Sequence, residues 1–413
     1  MDRQSRLHDG AGLLSPVCGG VSRYRKKPNS RRSKKSNCAA AARLTISAMD
    51  SALQLIIDQV RAAAAAGTAL RIRGGGSKDF YGEPPAGELL ETAPLAGITS
   101  YEPTELVVTV RSGTPLAELE AVLADRGQCL PFEPPHFGPG ATVGGMVAAG
   151  LSGPARAGVG SVRDYVLGLT MINGRGELLT FGGQVMKNVA GYDVSRLMAG
   201  AMGTLGLITE VSLKVLPVAP AEATLKFQMG QAQALAQLNR WGGQPLPLNA
   251  SCWVDAAGLP TLYLRLRGAV AAVDAACKTM GGERQDNATV ARDWTLCRDQ
   301  QLPWFLARGE RDLWRLSVPQ TAPVLDLPEP PLVEWHGGLR WVRAAPGDGP
   351  RLREIAARVG GHATLFIANS ARPIRAESRF DALKPPVDRI HRQLKREFDP
   401  AGIFNRGRMY PEF

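Results

Sequence analysis

The sequence predicts an α+β protein of two folded domains, and three observations carry that reading. The chain has 413 residues, enough for two or three domains of about 100–200 residues each. Strand-like and helix-like segments alternate from residue 51 to the C-terminus. Glycines concentrate at 74–76, 138–160, 182–191 and 200–206, and a Pro217-Val218-Ala219-Pro220 hinge follows them. The expected division is a basic disordered extension at 1–48, a glycine-rich domain at 49–218 and a sheet-and-helix domain at 219–413.

In the first domain, Leu53, Ile56, Ile57, Val60 and Ala64 lie on one face at helical spacing over 51–66. Gly67 offers the stop. Residues 69–73 read as a strand running into Gly74-Gly75-Gly76-Ser77. Residues 105–110 read as a second strand. Thr114 and Pro115 open a helix to Arg126 that Gly127 closes. Strands at 167–173 and 177–181 are joined around Asn173-Gly174, a hairpin signal. Leu207, Thr209, Val211, Leu213 and Val215 alternate on one face of a strand. In the second domain, 261–267, 313–318, 339–343 and 363–367 read as strands. Segments 269–280, 352–359 and 387–398 read as helices that cover them.

Composition excludes several classes. Apolar residues are 44% and charged residues 21%, ordinary for a globular protein. The formal charge is +11, but residues 1–48 hold eleven Lys/Arg against two acids, so only two of the net positive charges belong to the rest. Nucleic-acid binding by the folded body is therefore not expected; the basic tail is its one rival route. Three origins fit that tail: a start codon assigned too early, with Met49 the true start, a targeting peptide, or a genuine basic tail. The six cysteines form no C-x-x-C, and the five histidines form no closely spaced pair, so no metal or cluster site is expected. Scattered free cysteines suit a reducing compartment. No run of about 18 uncharged apolar residues exists to span a membrane.

The glycines point to the chemistry. A glycine loop lets backbone N–H groups approach an anion because no Cβ intervenes. Arg73-Gly74-Gly75-Gly76-Ser77 places such a loop directly after a strand. Residues 134–163 hold eight glycines and no Asp or Glu, so nothing there would repel a buried diphosphate. A large anionic cofactor is expected. Neither Gly158–Arg163 nor Gly200–Gly206 has the G-x-G-x-x-G spacing, and no P-loop or G-x-S-x-G motif occurs.

Five motifs then occur in order: Arg73–Ser77, Tyr101–Glu105, Ala141–Met146, Lys187–Asp193 and Gly203–Glu210. Together they resemble the FAD-binding domain of the vanillyl-alcohol oxidase/p-cresol methylhydroxylase (PCMH) family. The last two motifs and the ending Phe398–Met409 are similar to its glycolate oxidase and D-lactate dehydrogenase branch. Trp335–Trp341 and Gly360–Thr364 resemble the FAD-binding E subunits of bacterial glycolate oxidases.

The resemblance implies a two-lobed PCMH-type domain with FAD extended between the lobes. Arg73, Gly74, Gly75, Gly76 and Ser77 would take the diphosphate, and Thr142, Gly144 and Gly145 would line the same channel. Gly150, Ser152, Gly153 and Gly160 would lie near the isoalloxazine. Gly203, Thr204, Gly206 and Ile208 would flank the adenine, and Asn405 and Arg408 would bring the C-terminus back to the flavin. Covalent relatives carry His or Cys in these loops; this chain has neither, so FAD is expected to be non-covalent. The catalytic sibling subunit uses paired histidines that are missing here. The implied role is an FAD subunit working with a second flavin subunit and an iron–sulfur subunit. Together they would oxidise glycolate and pass electrons to the quinone pool from the cytoplasmic side of the membrane. The alternatives are a stand-alone D-2-hydroxy-acid dehydrogenase, with Arg315, Arg340 and His336 as candidates for carboxylate binding and proton removal, and a scaffold without its own catalysis.

Overall fold

The computed structural model describes residues 51–183, 193–369 and 377–412. The basic extension and positions 187–192 of the Lys187–Asp193 motif lie outside the described residues.

A helix over 51–66 leads into β1 (Leu70–Arg73), which pairs in parallel with β2 (Glu88–Glu91). The helix buries Ile56, Ile57, Val60 and Ala63 against Leu70 and Leu90, together with Ile403 and Phe404 from the far end of the chain. The next sheet is antiparallel, in the order β3 (Ile98–Glu102), β4 (Val107–Arg111), β8 (Leu207–Lys214), β6 (Val166–Ile172), β7 (Leu178–Gly182). Helices Leu116–Ala124 and Val143–Ala149 pack on it through Leu116, Leu119, Leu123, Met146 and Val147. A short pair, β5 (Gln128–Cys129) and β9 (Leu216–Pro217), closes this region.

The chain then builds an eight-stranded antiparallel sheet from β10 (Ala221–Gln228), β11 (Leu248–Ala256), β12 (Leu259–Gly268), β13 (Glu283–Arg284), β14 (Asp312–Ser317), β15 (Leu332–Glu334), β16 (Leu339–Ala344) and β17 (His362–Ile367). Its order is β13-β10-β12-β11-β15-β16-β14-β17. Helices Gln231–Gly242 and Val270–Met280 cover one half through Leu235, Leu238, Trp241 and Val273. Helix Gly349–Arg358 covers the other through Leu352 and Ile355. The opposite face carries Trp335, Trp341 and Phe366. It meets Tyr81, Leu151 and Met202 of the glycine-rich half in a shared core.

The expected α+β class is the class observed. Four local expectations shift for physical reasons. β4 begins at Val107 because Leu106, at φ 57°, still belongs to the preceding turn. Thr114 does not cap the helix that follows; its hydroxyl bonds the carbonyls of Gly97 and Arg111. The hairpin turns over 173–177, with Asn173 Oδ1 accepting from the N–H groups of Arg175 and Glu177, and it is Gly176 that takes the positive φ. β8 is buried on both faces, Ile208 and Ser212 included, because it is the central strand of its sheet.

One ion cluster fastens the segment after Phe132 to the large sheet. The Glu133 carboxylate accepts from Arg265 at 2.6 and 2.7 Å, from Arg267 at 2.9 Å and from the Ala155 N–H at 3.2 Å. Burial alone would raise the Glu133 carboxyl, but the two guanidiniums outweigh it and hold it below its ordinary value. Its contribution to stability is therefore complete at neutral pH and is lost as pH falls through the depressed folded value. Glu133→Gln leaves Arg265, itself almost wholly buried, without its counter-charge. The expected cost is about 3–5 kcal/mol in urea unfolding at pH 7. The gap to the parent protein should narrow in acid.

Candidate FAD-binding site

The site begins with β1. The Leu70 N–H donates to Ile403 O at 2.7 Å, the Asn405 N–H to Leu70 O at 2.9 Å, and the Ile72 N–H to Asn405 Oδ1 at 2.8 Å. With β2 on its other side, β1 delivers Arg73–Ser77 as a fixed loop. At Gly75 an added Cβ would stand 1.4 Å from Gly140 O, so backbone packs directly on backbone. Gly76 turns at φ 74°, and the Arg73 guanidinium folds over it to meet Asp79 at 2.8 Å. Arg408 holds the outside of the loop by donating to the carbonyls of Lys78, Asp79 and Glu83 at 3.1, 3.2 and 2.7 Å. Burial lowers its guanidinium to about 10.

Among the described residues no hydrogen bond reaches the N–H groups of Gly75, Gly76, Ser77 or Lys78. By contrast, the first N–H groups of helix Val143–Ala149 are already taken by Thr114 O, Ser112 O and Thr142 Oγ1. The loop therefore holds the free donors for an anion, and the helix start does not.

The loop lines a groove of about 640 Å³ with Arg71, Lys78, Thr142, Gly145, Ala148, Met202, Asn405 and Arg408. A neighbouring chamber of about 410 Å³ shares Ile72, Gly74, Gly145, Ala148, Met202 and Asn405, and adds Gly144, Gly203, Gly206 and Ile208. The shared residues join them into one channel whose first end carries cations and whose second end, with Thr92, Ser112 and Asn405 among apolar groups, carries none. No histidine or cysteine lines either chamber. A third chamber, a tight cleft with room for little more than one water, holds Ser152 and Gly153 against Phe137, Arg315, Glu334, Trp335, Trp341 and Phe366. An apolar cavity around Cys252, Trp294, Cys297 and Trp304 is larger, but it carries no cation and lies apart from the loop.

Eleven of the expected site residues thus meet along the channel, Ser152 and Gly153 lie in the third chamber, and three line none of them. Gly150 packs on Gly200 as a left-handed helix cap. Gly160 caps helix Arg156–Val159 beside Asp164. The Thr204 hydroxyl is turned to Ala201 O at 2.7 Å. Of the second-domain candidates, only Arg315 reaches a chamber. Arg340 donates to the carbonyls of Gly337 and Ala322 on the far side of its strand. His336 is buried, its backbone N–H on Ser251 Oγ, and burial lowers its imidazole to about 4.

The sequence reading missed Lys78, Arg71, Arg156 and Glu334. Lys78 and Arg71 are adjacent to the loop and could have been inferred from it. Glu334 carried no signal, because only the sheet brings it beside Arg315. It is fully buried, and burial raises its carboxyl to about 7, against hydrogen bonds from Trp341 Nε1 at 2.5 Å and the Cys297 thiol at 3.2 Å. Arg156 and Arg315 lie 4.3 and 4.9 Å from the Trp335 ring centroid. Neither has a carboxylate in ion-pair reach among the described residues.

Gly75→Ala should abolish flavin retention, read as loss of visible flavin absorbance on gel filtration, because its methyl group meets the Gly140 carbonyl. Gly183→Ala, where a Cβ meets nothing within 4 Å, should keep its flavin.

The FAD binding domain family matches residues 53–182. Glycolate oxidase subunit GlcE of Escherichia coli (strain K12) is 46% identical over 359 residues, which is 87% of this chain and 97% of that protein. Glycolate oxidase subunit GlcD of Bacillus subtilis is 31% identical over 34% of this chain and 30% of its own. A D-lactate dehydrogenase of Anaerostipes hadrus is 36% identical over 32% and 27%. A solved alkyldihydroxyacetonephosphate synthase shares the fold over 85% of this chain and 73% of its own, with a TM-score of 0.58 at 15% identity. The chain is thus an FAD-binding oxidoreductase homologue and belongs to the glycolate oxidase subunit GlcE family.

Proposed function

We propose that this chain is the FAD-holding subunit of an assembly that oxidises glycolate to glyoxylate. Electrons would leave through a second flavin subunit and an iron–sulfur subunit toward the quinone pool, at the inner face of the cytoplasmic membrane. The observation that carries the reading is the loop of unpaired N–H groups at Gly75–Lys78, lining the cationic end of the channel. The 46% identity to a glycolate oxidase subunit supplies the substrate class. Among the described residues no helix is long and apolar enough to cross a membrane, so membrane contact would run through partners. FAD would be held without a covalent bond, by 49–218 with the C-terminal residues Asn405 and Arg408.

FAD supplies the hydride acceptor when bound. The chain's own residues would do the rest. Gly75, Gly76, Ser77 and Lys78 would hold the diphosphate, and Arg408 would keep their loop rigid. Ser152 and Gly153 would border the reactive end.

A second reading, in which this chain binds the hydroxy acid itself, is favoured by the third chamber. Hydroxy-acid oxidation needs a cation for the carboxylate and a base for the hydroxyl proton. Arg315, with Arg156 on the same indole, is the cation. Glu334, ionised above about pH 7, is the base.

One anaerobic experiment separates the readings. The isolated chain from Met49 is mixed with glycolate and its visible spectrum followed. A flavin that stays oxidised until partner subunits are added supports the FAD-holding role. Bleaching by glycolate alone supports the second reading. Its rate should then rise about tenfold per pH unit up to about 7 and level off, since the base must be ionised. Glu334→Gln should remove that rise, and Arg315→Met should raise the glycolate concentration needed.

A further inference from the structure

Lys78 ends the glycine loop, and its side chain lines the groove with Gly75, Gly76 and Ser77. Its ammonium lies 3.3 Å from Ser77 Oγ and 3.4 Å from His136 O, and 5.7 Å from the Phe137 ring centroid. These are long contacts for a group with three donors. No carboxylate among the described residues comes within ion-pair distance of it.

Arg71 lines the same groove without a carboxylate partner among the described residues, and the other charged groups around Lys78 are committed elsewhere. Asp79 is taken by Arg73 at 2.8 Å. Asp299, the one acid that acts on Lys78, is held by Arg298 at 2.7 Å and accepts the His136 N–H. The His136 ring faces Glu120 at 2.9 Å. Arg408 is spent on backbone carbonyls, the Lys78 carbonyl included. Burial pushes the Lys78 ammonium down to about 8, with Asp299 opposing. A cation has thus been carried into a groove of unpaired N–H groups with no counter-charge of its own. The missing partner is an anion.

We propose that Lys78 is the residue that neutralises the cofactor diphosphate, and that FAD affinity is thereby coupled to one proton. This rests on the FAD reading of the groove. The bound diphosphate keeps the ammonium charged, whereas the empty groove lets it go near pH 8. Binding above pH 8 therefore takes up a proton, and binding below it does not. Affinity should be flat from about pH 6.5 to 8. It should then weaken toward a limit of about tenfold per pH unit.

The test is FAD titration into the flavin-free full chain at a series of pH values, followed by flavin fluorescence. Lys78→Arg keeps a charge at every pH, so its affinity should stay strong and flat. Lys78→Met should be weaker at pH 7 by tenfold or more, and also flat. A parent protein whose affinity does not change between pH 7 and about 9.5 overturns the proposal. So does a Lys78→Met variant that keeps the parent's decline. A parent protein that binds no FAD at any pH refutes the FAD reading itself, and the proposal falls with it.

Discussion

The site depends on a buried ion pair far from any ligand. Lys395 and Asp399 meet at 2.8 Å, one turn apart at the end of helix Val387–Phe398, with the carboxylate wholly shielded from solvent. All three Lys395 donors are used: on Asp399, on Thr204 O at 2.7 Å and on Phe404 O at 2.9 Å. Asp399 in turn accepts the N–H groups of Ile403 and Phe404. Burial lowers the lysine and Asp399 opposes the shift, so the pair is held together by the desolvation cost of separating it. This knot sets Phe404 and Asn405 beside β1 and Thr204 beside both. Without it the first strand would lose the edge partner that fixes where the glycine loop emerges.

That dependence explains what could be read from the residue order. The loop itself was legible, because three successive glycines after a strand have few other uses, and Gly75 does press against Gly140. Part of the carboxylate-free run 134–163 was legible as well, since Thr142, Gly144, Gly145, Ala148 and Ala149 line the channel. β11 was not. Its buried residues include Asn249 and Ser251, which break any hydrophobic alternation. Both are satisfied by groups distant in sequence, Asn249 by Arg265 and Ser251 by the His336 N–H. Gly150 and Gly160 misled for the converse reason. They are glycines because they end short helices in left-handed or strained turns, a local demand that looks the same in sequence as a close approach to a ligand.

Charge is sorted around the two ends of the channel by the same logic. Two part-buried acids next to the glycine segments are neutralised: Glu133 by two arginines, Asp299 by Arg298. The part-buried cations that face the chambers, Lys78 and Arg315, have no such partners among the described residues. A partly desolvated cation without a counter-charge is a favourable position for an anion, since such a charge is costly until a ligand completes it. The sequence showed only that acids were missing from one stretch. It could not show which of the remaining cations were spoken for.

The third chamber is where the large sheet meets the glycine segment, and Trp335 is the joint. Trp335 and His336 both adopt φ 53°, a conformation that costs side chains of this size about 1–3 kcal/mol each. Three contacts offset that cost. The Trp335 indole N–H donates to Gly153 O at 3.0 Å, and Arg156 and Arg315 stack on its ring. The turn holds one indole against the glycine segment and keeps Arg315 at the adjoining chamber, with Arg156 on the other contact to the ring. It also leaves Glu334, the residue just before it, buried at the chamber wall. A relaxed turn would release Gly153 and separate Arg315 from the carboxyl. The strain is therefore the condition for closing the large sheet onto the glycine segment.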